Sequence, residues 1–144
     1  ENHPKARSIF VKKTKPGLSS FASRPAEAVP SLLRLLGEGA LKVPGDVRRT
    51  VQLAIFGTAG MRLLSPQLQQ DIWSVVRSEL RSSKDFPFAP EKLEARTVSG
   101  DEEGLWAMLT TNFLTKRMSL DLVSLGAAPP LGLMDLGGSS TQIA

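Results

Sequence analysis

A strand–helix–strand pattern in the middle of the chain constrains the fold more than any other feature. Residues 50–57 (TVQLAIFG) form a largely apolar run bounded by a turn and a glycine, which is typical of a buried parallel strand. An amphipathic helix is predicted over 65–83, where Ser65 suits the N-cap and Pro66 the first helical position. Its apolar stripe consists of Leu68, Ile72, Val75, Val76 and Leu80. With a further short strand predicted over 93–100, this alternation indicates an α/β fold.

The flanking segments extend the same alternation. Residues 6–14 have the apolar cluster of a short strand, and 26–40 are predicted to be a helix with Pro30 in its first turn. Further along the chain we predict a turn over 43–46, a helix over 101–118 and a buried strand over 131–137. In sheets of this kind ligands bind where strands end and helices begin, which draws attention to three junctions with unusual residues.

Composition restricts the chemistry that is available. The 144 residues contain no cysteine and a single histidine, His3. This excludes disulfides, thiolate metal sites and histidine triads within the segment. Any catalysis must therefore use carboxylates, hydroxyls, backbone amides and a bound cation. No run approaches the roughly 18 apolar residues that a membrane span needs.

Basic residues are concentrated in the first third of the chain. Residues 1–50 hold 10 Lys/Arg against 4 Asp/Glu, a net charge of +6, whereas residues 51–144 hold 8 against 10, a net charge of −2. The basic side chains are scattered and have few aromatic neighbours in sequence. We therefore interpret them as a solvated surface and expect no nucleic-acid partner.

The first junction is GTAGMRLL (57–64), directly after the strand at 50–57. Its two glycines let backbone N–H groups approach a ligand closely, while Thr58 adds a hydroxyl and Arg62 a charge, which suits an anion. A tight turn in which Gly60 starts the next helix explains the same residues equally well.

The second junction, SGDEEGLW (99–106), places three consecutive carboxylates at a helix N-terminus. They complement the helix dipole, and Ser99 or Asp101 can cap the helix, which is the simpler structural interpretation. The functional alternative is that one carboxylate acts as a general base for water, with Glu103 as the natural candidate. Spacing alone does not single Glu103 out.

The third junction is DLGGSSTQIA (135–144). Asp135 ends a predicted buried strand, where a carboxylate can hold a hydrated divalent cation. The amides of Gly137 and Gly138 can cradle a phosphate. Polar side chains follow at Ser140, Thr141 and Gln142. The alternative is that GGSS is a hairpin turn before another strand.

In this order, GTAGMRLL, SGDEEGLW…N and DLGGSSTQIA resemble the second, third and fourth conserved regions of the apyrase family. That family comprises the nucleoside tri- and diphosphate diphosphohydrolases, including Golgi-type nucleoside diphosphatases. KPGLSSFA (15–22) also resembles a segment that follows the family's first region. The likeness covers most of the chain, and two of the strings are nearly identical to the family pattern.

The resemblance implies two RNase H-like lobes, as in actin and the sugar kinases, with nucleotide in the cleft between them. Residues 1–130 would be a partial N-terminal lobe, and residues 131–144 the opening strand–turn–strand of the second lobe. We accordingly expect the chain to be a fragment of a longer protein, inactive in isolation, because the family's first phosphate loop is absent from it.

The resemblance also implies roles for individual residues. Glu103 resembles the catalytic base that activates the attacking water, and Ser140 a residue that orients this water. Thr58 and Ala59 resemble residues that hold the terminal phosphate and the region of the water. Backbone contacts to phosphate are expected in the turn formed by Gly137, Gly138 and Ser139, the last of which stands where alanine is usual.

A divalent cation is the one cofactor that the resemblance implies. Asp135 and Gln142 resemble ligands that hold Mg²⁺ or Ca²⁺ mostly through bound water. The chemistry is consistent, since hydrolysis of a phosphoanhydride needs an in-line water and a cation to share the oxygen charge.

The implied function is hydrolysis of the terminal phosphate of nucleoside tri- and/or diphosphates by a cation-dependent phosphatase. Two alternatives stay open: an exopolyphosphatase-like phosphatase of the same fold, whose substrate has no base to stack, and a non-catalytic nucleotide-binding protein. Retention of Glu103, Asp135 and Ser140 together favours catalysis. Family members commonly work in the Golgi lumen or outside cells on membrane anchors, so an anchor of the parent protein would lie outside this segment, and the compartment stays open.

Overall fold

The computed structural model describes residues 12, 14–119, 121–126 and 128–144. The strand predicted over 6–14 lies almost entirely outside these residues. The helices are α1 (Ala28–Ala40), α2 (Ala59–Arg62), α3 (Pro66–Ser82) and α4 (Gly100–Leu114). The strands are β1 (Leu53–Gly57), β2 (Leu93–Thr97), β3 (Met134–Leu136) and β4 (Thr141–Ile143). Within the described ranges, no helix combines the length and the apolarity needed to cross a membrane.

Contacts divide the described chain into two compact units, Ile9–Thr97 and Val98–Ala144. The first unit contains α1 to α3 with β1 and β2, and the second contains α4 with β3 and β4. The predicted lobe boundary between residues 130 and 131 concerns a larger architecture and stays a prediction.

The strand–helix–strand prediction is confirmed. Strand β1 pairs in parallel with β2, in a register that sets Leu53 opposite Leu93 and Gly57 opposite Thr97, and α3 forms the crossover between them. The expected continuous burial of β1 is wrong for the described residues, because burial alternates along it and Phe56 is exposed. The Arg96 guanidinium lies 5.2 Å from the centre of the Phe56 ring and covers part of that face.

Helix α3 begins and packs much as its sequence predicts. Ser65 is the N-cap, accepting a hydrogen bond from the Leu68 backbone N–H at 3.4 Å, and Pro66 is the first helical residue. The buried face consists of Ile72, Trp73, Val76 and Leu80. Leu68, which we placed in the stripe, is exposed in the first turn. Each fully buried aliphatic side chain of this face stabilises the fold by about 1.5–3 kcal/mol.

Polar side chains of α3 also bind the backbone of β2. Arg77 donates to the Ala95 carbonyl at 2.8 Å, and Arg81 donates to the Leu93 carbonyl at 3.1 Å. Trp73 completes the row through a 2.8 Å hydrogen bond from its indole Nε1 to the Thr97 hydroxyl. Because the two carbonyls belong to alternate residues, they point to one edge of the strand, and the arginines satisfy acceptors that an edge strand would otherwise expose.

Strands β3 and β4 form an antiparallel hairpin in the second unit. Asp135 lies opposite Gln142, and Met134 lies opposite Ile143. The strand predicted over 131–137 is thus shortened to Met134–Leu136, although Leu133 and Ala144 continue the pairing through backbone hydrogen bonds of 2.7 and 3.0 Å. The hairpin alternative for GGSS is therefore the conformation that this segment adopts.

We predict that Gly57→Ala destabilises the folded protein. A Cβ atom at this position would lie 2.5 Å from Met61 Cγ and 2.8 Å from the Trp73 ring, and such overpacking costs about 1–3 kcal/mol. Gly37→Ala in α1 is the matched control, because its Cβ would meet nothing within 4 Å and alanine favours helix by about 0.5–1 kcal/mol. Thermal unfolding of the full-length protein measures both changes, and equal midpoints for the two variants would contradict the prediction.

Candidate functional site

The start of α4 is built by a capping box. The Ser99 hydroxyl accepts from the Glu102 backbone N–H at 3.0 Å, and the Glu102 carboxylate accepts from the Ser99 backbone N–H at 2.9 Å. Of the two caps that the sequence allowed, Ser99 is therefore the one used. This reciprocal pair satisfies two backbone donors and fixes the direction in which the helix leaves the loop.

The capping box separates the roles of the three neighbouring carboxylates. The Glu102 carboxylate is occupied by the cap. Asp101 is exposed, whereas Glu103 is half-buried on the following position of the first turn. The structure thus distinguishes carboxylates that sequence spacing left equivalent. Glu102 forms the capping box, and Glu103, the next residue, is not part of it.

The turn between β3 and β4 is tight. The Gly137 backbone N–H donates to the Ser140 carbonyl at 2.9 Å, and Gly138 and Ser139 form the exposed turn between them. A Cβ atom on Gly137 would lie 3.1 Å from that same carbonyl oxygen, whereas one on Gly138 would meet nothing within 4 Å. A side chain at Gly137 would therefore require the Ser140 carbonyl to shift by a few tenths of an ångström, and the turn leaves the backbone of Gly138 and Ser139 exposed.

Asp135 and Gln142 share one face of the hairpin because they are directly opposite each other. Gln142 is only 7% exposed, and its Nε2 donates to the Ser140 hydroxyl at 2.8 Å. Its Oε1 atom is buried and has no hydrogen-bond partner among the described residues. A buried carbonyl oxygen of this kind ordinarily has a partner, so Oε1 is an acceptor available to a water or a cation.

Helix α4 packs directly against this face. Gly104 is buried, and a Cβ atom there would lie 3.2 Å from Gln142 Cβ and 3.7 Å from Ala144 Cβ. A glycine directly after Glu103 thus lets the strand approach the helix closely. A hollow of about 170 Å³ lies at this contact. It is lined by Gly100, Asp101, Gly104, Thr141, Gln142 and Ile143.

Thr58 and Ala59 lie in the other unit, after the end of β1. Gly57 and Thr97 are paired, so the carboxyl ends of β1 and β2 are side by side. Thr58 is exposed and precedes the four-residue helix α2 without capping it through its side chain. The backbone of Thr58 nevertheless accepts from the N–H groups of Met61 and Arg62 at 2.9 and 3.2 Å, as expected for a helix that starts at this turn.

Our sequence reasoning assigned no role to Asn112, which proves to be fully buried. Its side-chain amide donates to the Leu131 carbonyl at 2.9 Å, and its Oδ1 accepts from the Leu131 N–H at 2.7 Å. The amide also donates to the Met108 carbonyl at 2.9 Å. The available signal of burial was a polar residue among the apolar residues of a helix. The partner of Asn112, however, is 19 residues away and could not be identified from the sequence.

Oxygen atoms are the only ligands that the site offers to a cation. No group of three or more His, Cys, Asp or Glu side chains in the described part of the chain is close enough to hold a metal ion. Asp135 and the Gln142 carbonyl oxygen remain the local candidates, on one face of the hairpin. Such a sparse set of hard oxygen ligands fits a cation that keeps most of its water.

The chain matches the GDA1/CD39 (nucleoside phosphatase) family over residues 2–144. It is 37% identical over 143 residues to a guanosine-diphosphatase of Schizosaccharomyces pombe. The aligned region covers 97% of this chain and 24% of that protein. It is 34% identical over 136 residues to the probable apyrase 2 of Oryza sativa subsp. japonica, covering 94% of this chain and 27% of that protein.

An animal protein is similar to the same extent. The ectonucleoside triphosphate diphosphohydrolase 5 of Gallus gallus is 33% identical over 140 residues, covering 97% of this chain and 31% of that protein. The chain therefore spans between about a quarter and a third of the length of these relatives.

Proposed function

This chain belongs to the GDA1/CD39 (nucleoside phosphatase) family, and we propose that the protein containing it hydrolyses the terminal phosphate of nucleoside tri- and/or diphosphates. The family membership supports the class of reaction. The names of the similar proteins, guanosine-diphosphatase, apyrase and ectonucleoside triphosphate diphosphohydrolase, all describe the hydrolysis of nucleotides. The chain spans only a minor part of each of these relatives. What we propose is therefore the activity of the whole protein that contains it.

The packing of α4 against the hairpin is the observation that carries this proposal. Through Gly104, the turn of α4 that bears Glu103 is held against the strand that bears Gln142. A carboxylate, a glycine turn and a buried oxygen acceptor therefore belong to one compact unit. Water attack on a phosphoanhydride needs a base, phosphate ligands and charge stabilisation in fixed positions, since catalysis of this reaction is mainly positioning and electrostatics.

Each residue has a defined part in the proposed reaction. Glu103 takes a proton from the attacking water, and Ser140, hydrogen-bonded to Gln142, orients that water. The backbone N–H groups of the exposed hairpin turn bind phosphate oxygens. These groups belong to Gly138 and Ser139, whereas the Gly137 N–H donates to the Ser140 carbonyl and closes the turn. From the resemblance of their motif, we propose that Thr58 and Ala59 bind the terminal phosphate.

We propose that Asp135 and Gln142 hold Mg²⁺ or Ca²⁺ mainly through its bound waters. The buried and unpartnered Oε1 of Gln142 supports this role, as does the position of Asp135 opposite it. When bound, the cation shares the negative charge of the phosphate oxygens. The protein residues orient the waters of the cation, which is the task that outer-shell ligands perform in metal sites.

We further propose that the chain forms most of one RNase H-like lobe and the opening hairpin of a second lobe. The parallel pair β1–β2 with its crossover helix is compatible with such a lobe. In the hairpin, Met134, Leu136 and Ile143 are 60%, 73% and 76% exposed, and Leu105 and Leu114 of α4 are exposed as well. An apolar surface of this extent supports a larger structure that covers it.

The first functional prediction concerns Glu103. We expect Glu103→Gln in the full-length protein to lower kcat by about 10²–10⁴-fold with little change in nucleotide binding, because the amide is nearly isosteric but cannot take a proton. Phosphate release and nucleotide titration measure the two quantities.

Glu102→Gln is the matched control for this substitution. Glutamine can replace glutamate in a capping box, so this variant should keep both the helix start and the activity. A Glu103→Gln enzyme within about threefold of the wild type would remove Glu103 from the role of base. Loss of activity in Glu102→Gln alone would transfer that role to Glu102.

The second functional prediction concerns the cation. EDTA should abolish phosphate release, and Mg²⁺ or Ca²⁺ should restore it. Asp135→Asn should raise the cation concentration for half-maximal activity by about 10–100-fold, as loss of an outer-shell ligand does elsewhere. Asp121→Asn, at an exposed aspartate, is the control. Full activity in excess chelator would eliminate the proposed cation site.

The third functional prediction concerns the 144-residue chain alone. We expect it to release no phosphate, to aggregate readily and to unfold at lower urea concentration than the full-length protein by circular dichroism, because the exposed apolar face of the hairpin stays in contact with water. The full-length protein serves as the control in both measurements. A cooperative transition together with phosphate release by the isolated chain would refute the two-lobe proposal.

A further inference from the structure

The side chain of Asn112 joins α4 to the segment that leads into the hairpin. Asn112 is 0% exposed, and its amide forms a pair of hydrogen bonds with both backbone groups of Leu131: one donated to the carbonyl at 2.9 Å, one accepted from the N–H at 2.7 Å. Two hydrogen bonds in parallel fix both the distance and the orientation of the joined segments. The amide therefore acts on Leu131 as a neighbouring strand would.

The Leu131 segment passes directly into the predicted site. Two residues on, the backbone groups of Leu133 exchange hydrogen bonds of 2.7 and 3.0 Å with those of Ala144. Strand β3 with Asp135 begins immediately afterwards. A displacement at Leu131 would thus be transmitted along an extended, hydrogen-bonded backbone to the hairpin.

The second point of attachment is Gly104, whose close contact with Gln142 admits no side chain without a shift. Gly104 and Asn112 are eight residues apart on α4, which corresponds to roughly 12 Å along a helix axis. One contact alone would let the hairpin pivot on the helix. Two contacts at this separation determine the register and the angle between Glu103 and the hairpin.

Few other buried side chains in this unit could fix the orientation of the hairpin on α4. Among its described residues, the buried side chains are those of Val98, Asn112 and Gln142. Its large apolar residues are instead mostly exposed, so apolar packing within the unit does not determine how the hairpin lies on the helix. The orientation therefore depends mainly on the hydrogen-bonded pair of Asn112 with Leu131 and on the close contact of Gly104 with Gln142.

We propose that Asn112 is a positioning residue, which holds the hairpin bearing Asp135 and Gln142 in register with the helix bearing Glu103 through its paired hydrogen bonds to Leu131. This role rests on the proposed phosphatase function. In this role Asn112 acts through Leu131 and not by contact with substrate or cation. A misplacement of about 1 Å between reacting groups can cost about 10²-fold in rate, so loss of the pair is expressed in kcat.

Two substitutions in the full-length enzyme test the pair from its two sides. Asn112→Ala removes the amide, and Leu131→Pro removes the N–H that donates to Asn112 Oδ1 while also replacing the leucine side chain by a ring that fixes φ. We expect each to lower kcat by about 10–100-fold with KM changed by less than about threefold, because the groups that bind phosphate remain. The controls are Thr110→Ala, at an exposed position of the same helix, and Leu131→Ala, which keeps the N–H group.

Amide hydrogen exchange supplies a readout that does not depend on catalysis. The Leu131 N–H should exchange faster in Asn112→Ala than in the wild type and remain protected in both controls. Unchanged protection in Asn112→Ala would overturn the proposal, as would a kcat within about threefold of the wild type. A rise in KM at constant kcat would overturn it too. If urea titration shows that Asn112→Ala is unfolded, the kcat and KM of Leu131→Pro test the proposal in its place.

The failure of the proposed function gives a different pattern. A wild-type enzyme that releases no phosphate from any nucleotide would refute the phosphatase proposal and the positioning role that rests on it. An active wild type whose kcat is unchanged by both substitutions would refute the positioning role alone.

Discussion

The hydrogen bonds between the Asn112 amide and Leu131 join α4 to the segment before the hairpin, in the unit that carries most of the predicted site. Within Val98–Ala144 the buried side chains are largely polar, whereas the apolar side chains of the hairpin face outward. A buried amide loses its hydration and is stable only when its partners are in place. The unit therefore contains directional interactions, which suits the proposed site, where Glu103, the hairpin turn and the oxygen acceptor would have to keep their mutual positions.

The unit Ile9–Thr97 is stabilised differently. Its core is a continuous apolar cluster in which α3 packs on the parallel pair β1–β2, and Arg77 and Arg81 satisfy the carbonyls of β2 from outside. Such a scaffold is rigid because apolar burial and backbone hydrogen bonds support the same arrangement. Thr58 and Ala59 stand at its end, where the strand stops and its apolar neighbours give way to an exposed turn.

Local signals in the sequence were sufficient where the partners of a residue are its neighbours. Ser65 and Pro66 predicted the start of α3, and Ser99 was one of the two N-caps predicted for α4. The same reasoning failed for Leu68, which has the right spacing but lies in a first turn that extends beyond the core. Helical periodicity reports which face a residue is on, but it does not report how far along the helix the core reaches.

The sequence by itself determined the α/β class, the helices α1 and α3 and the strands β1 and β2 of the first unit, and the family, since these follow from periodicity, caps and short motifs. Only the tertiary structure decided that Gly104 admits Gln142 and that Asn112 pairs with Leu131. The physical reason is range. A helix cap or an apolar stripe is encoded within one or two helical turns. A contact between residues 19 to 38 positions apart instead depends on how the intervening chain folds back. Many residue types could form such a contact, so the sequence does not identify the partners before the fold is known.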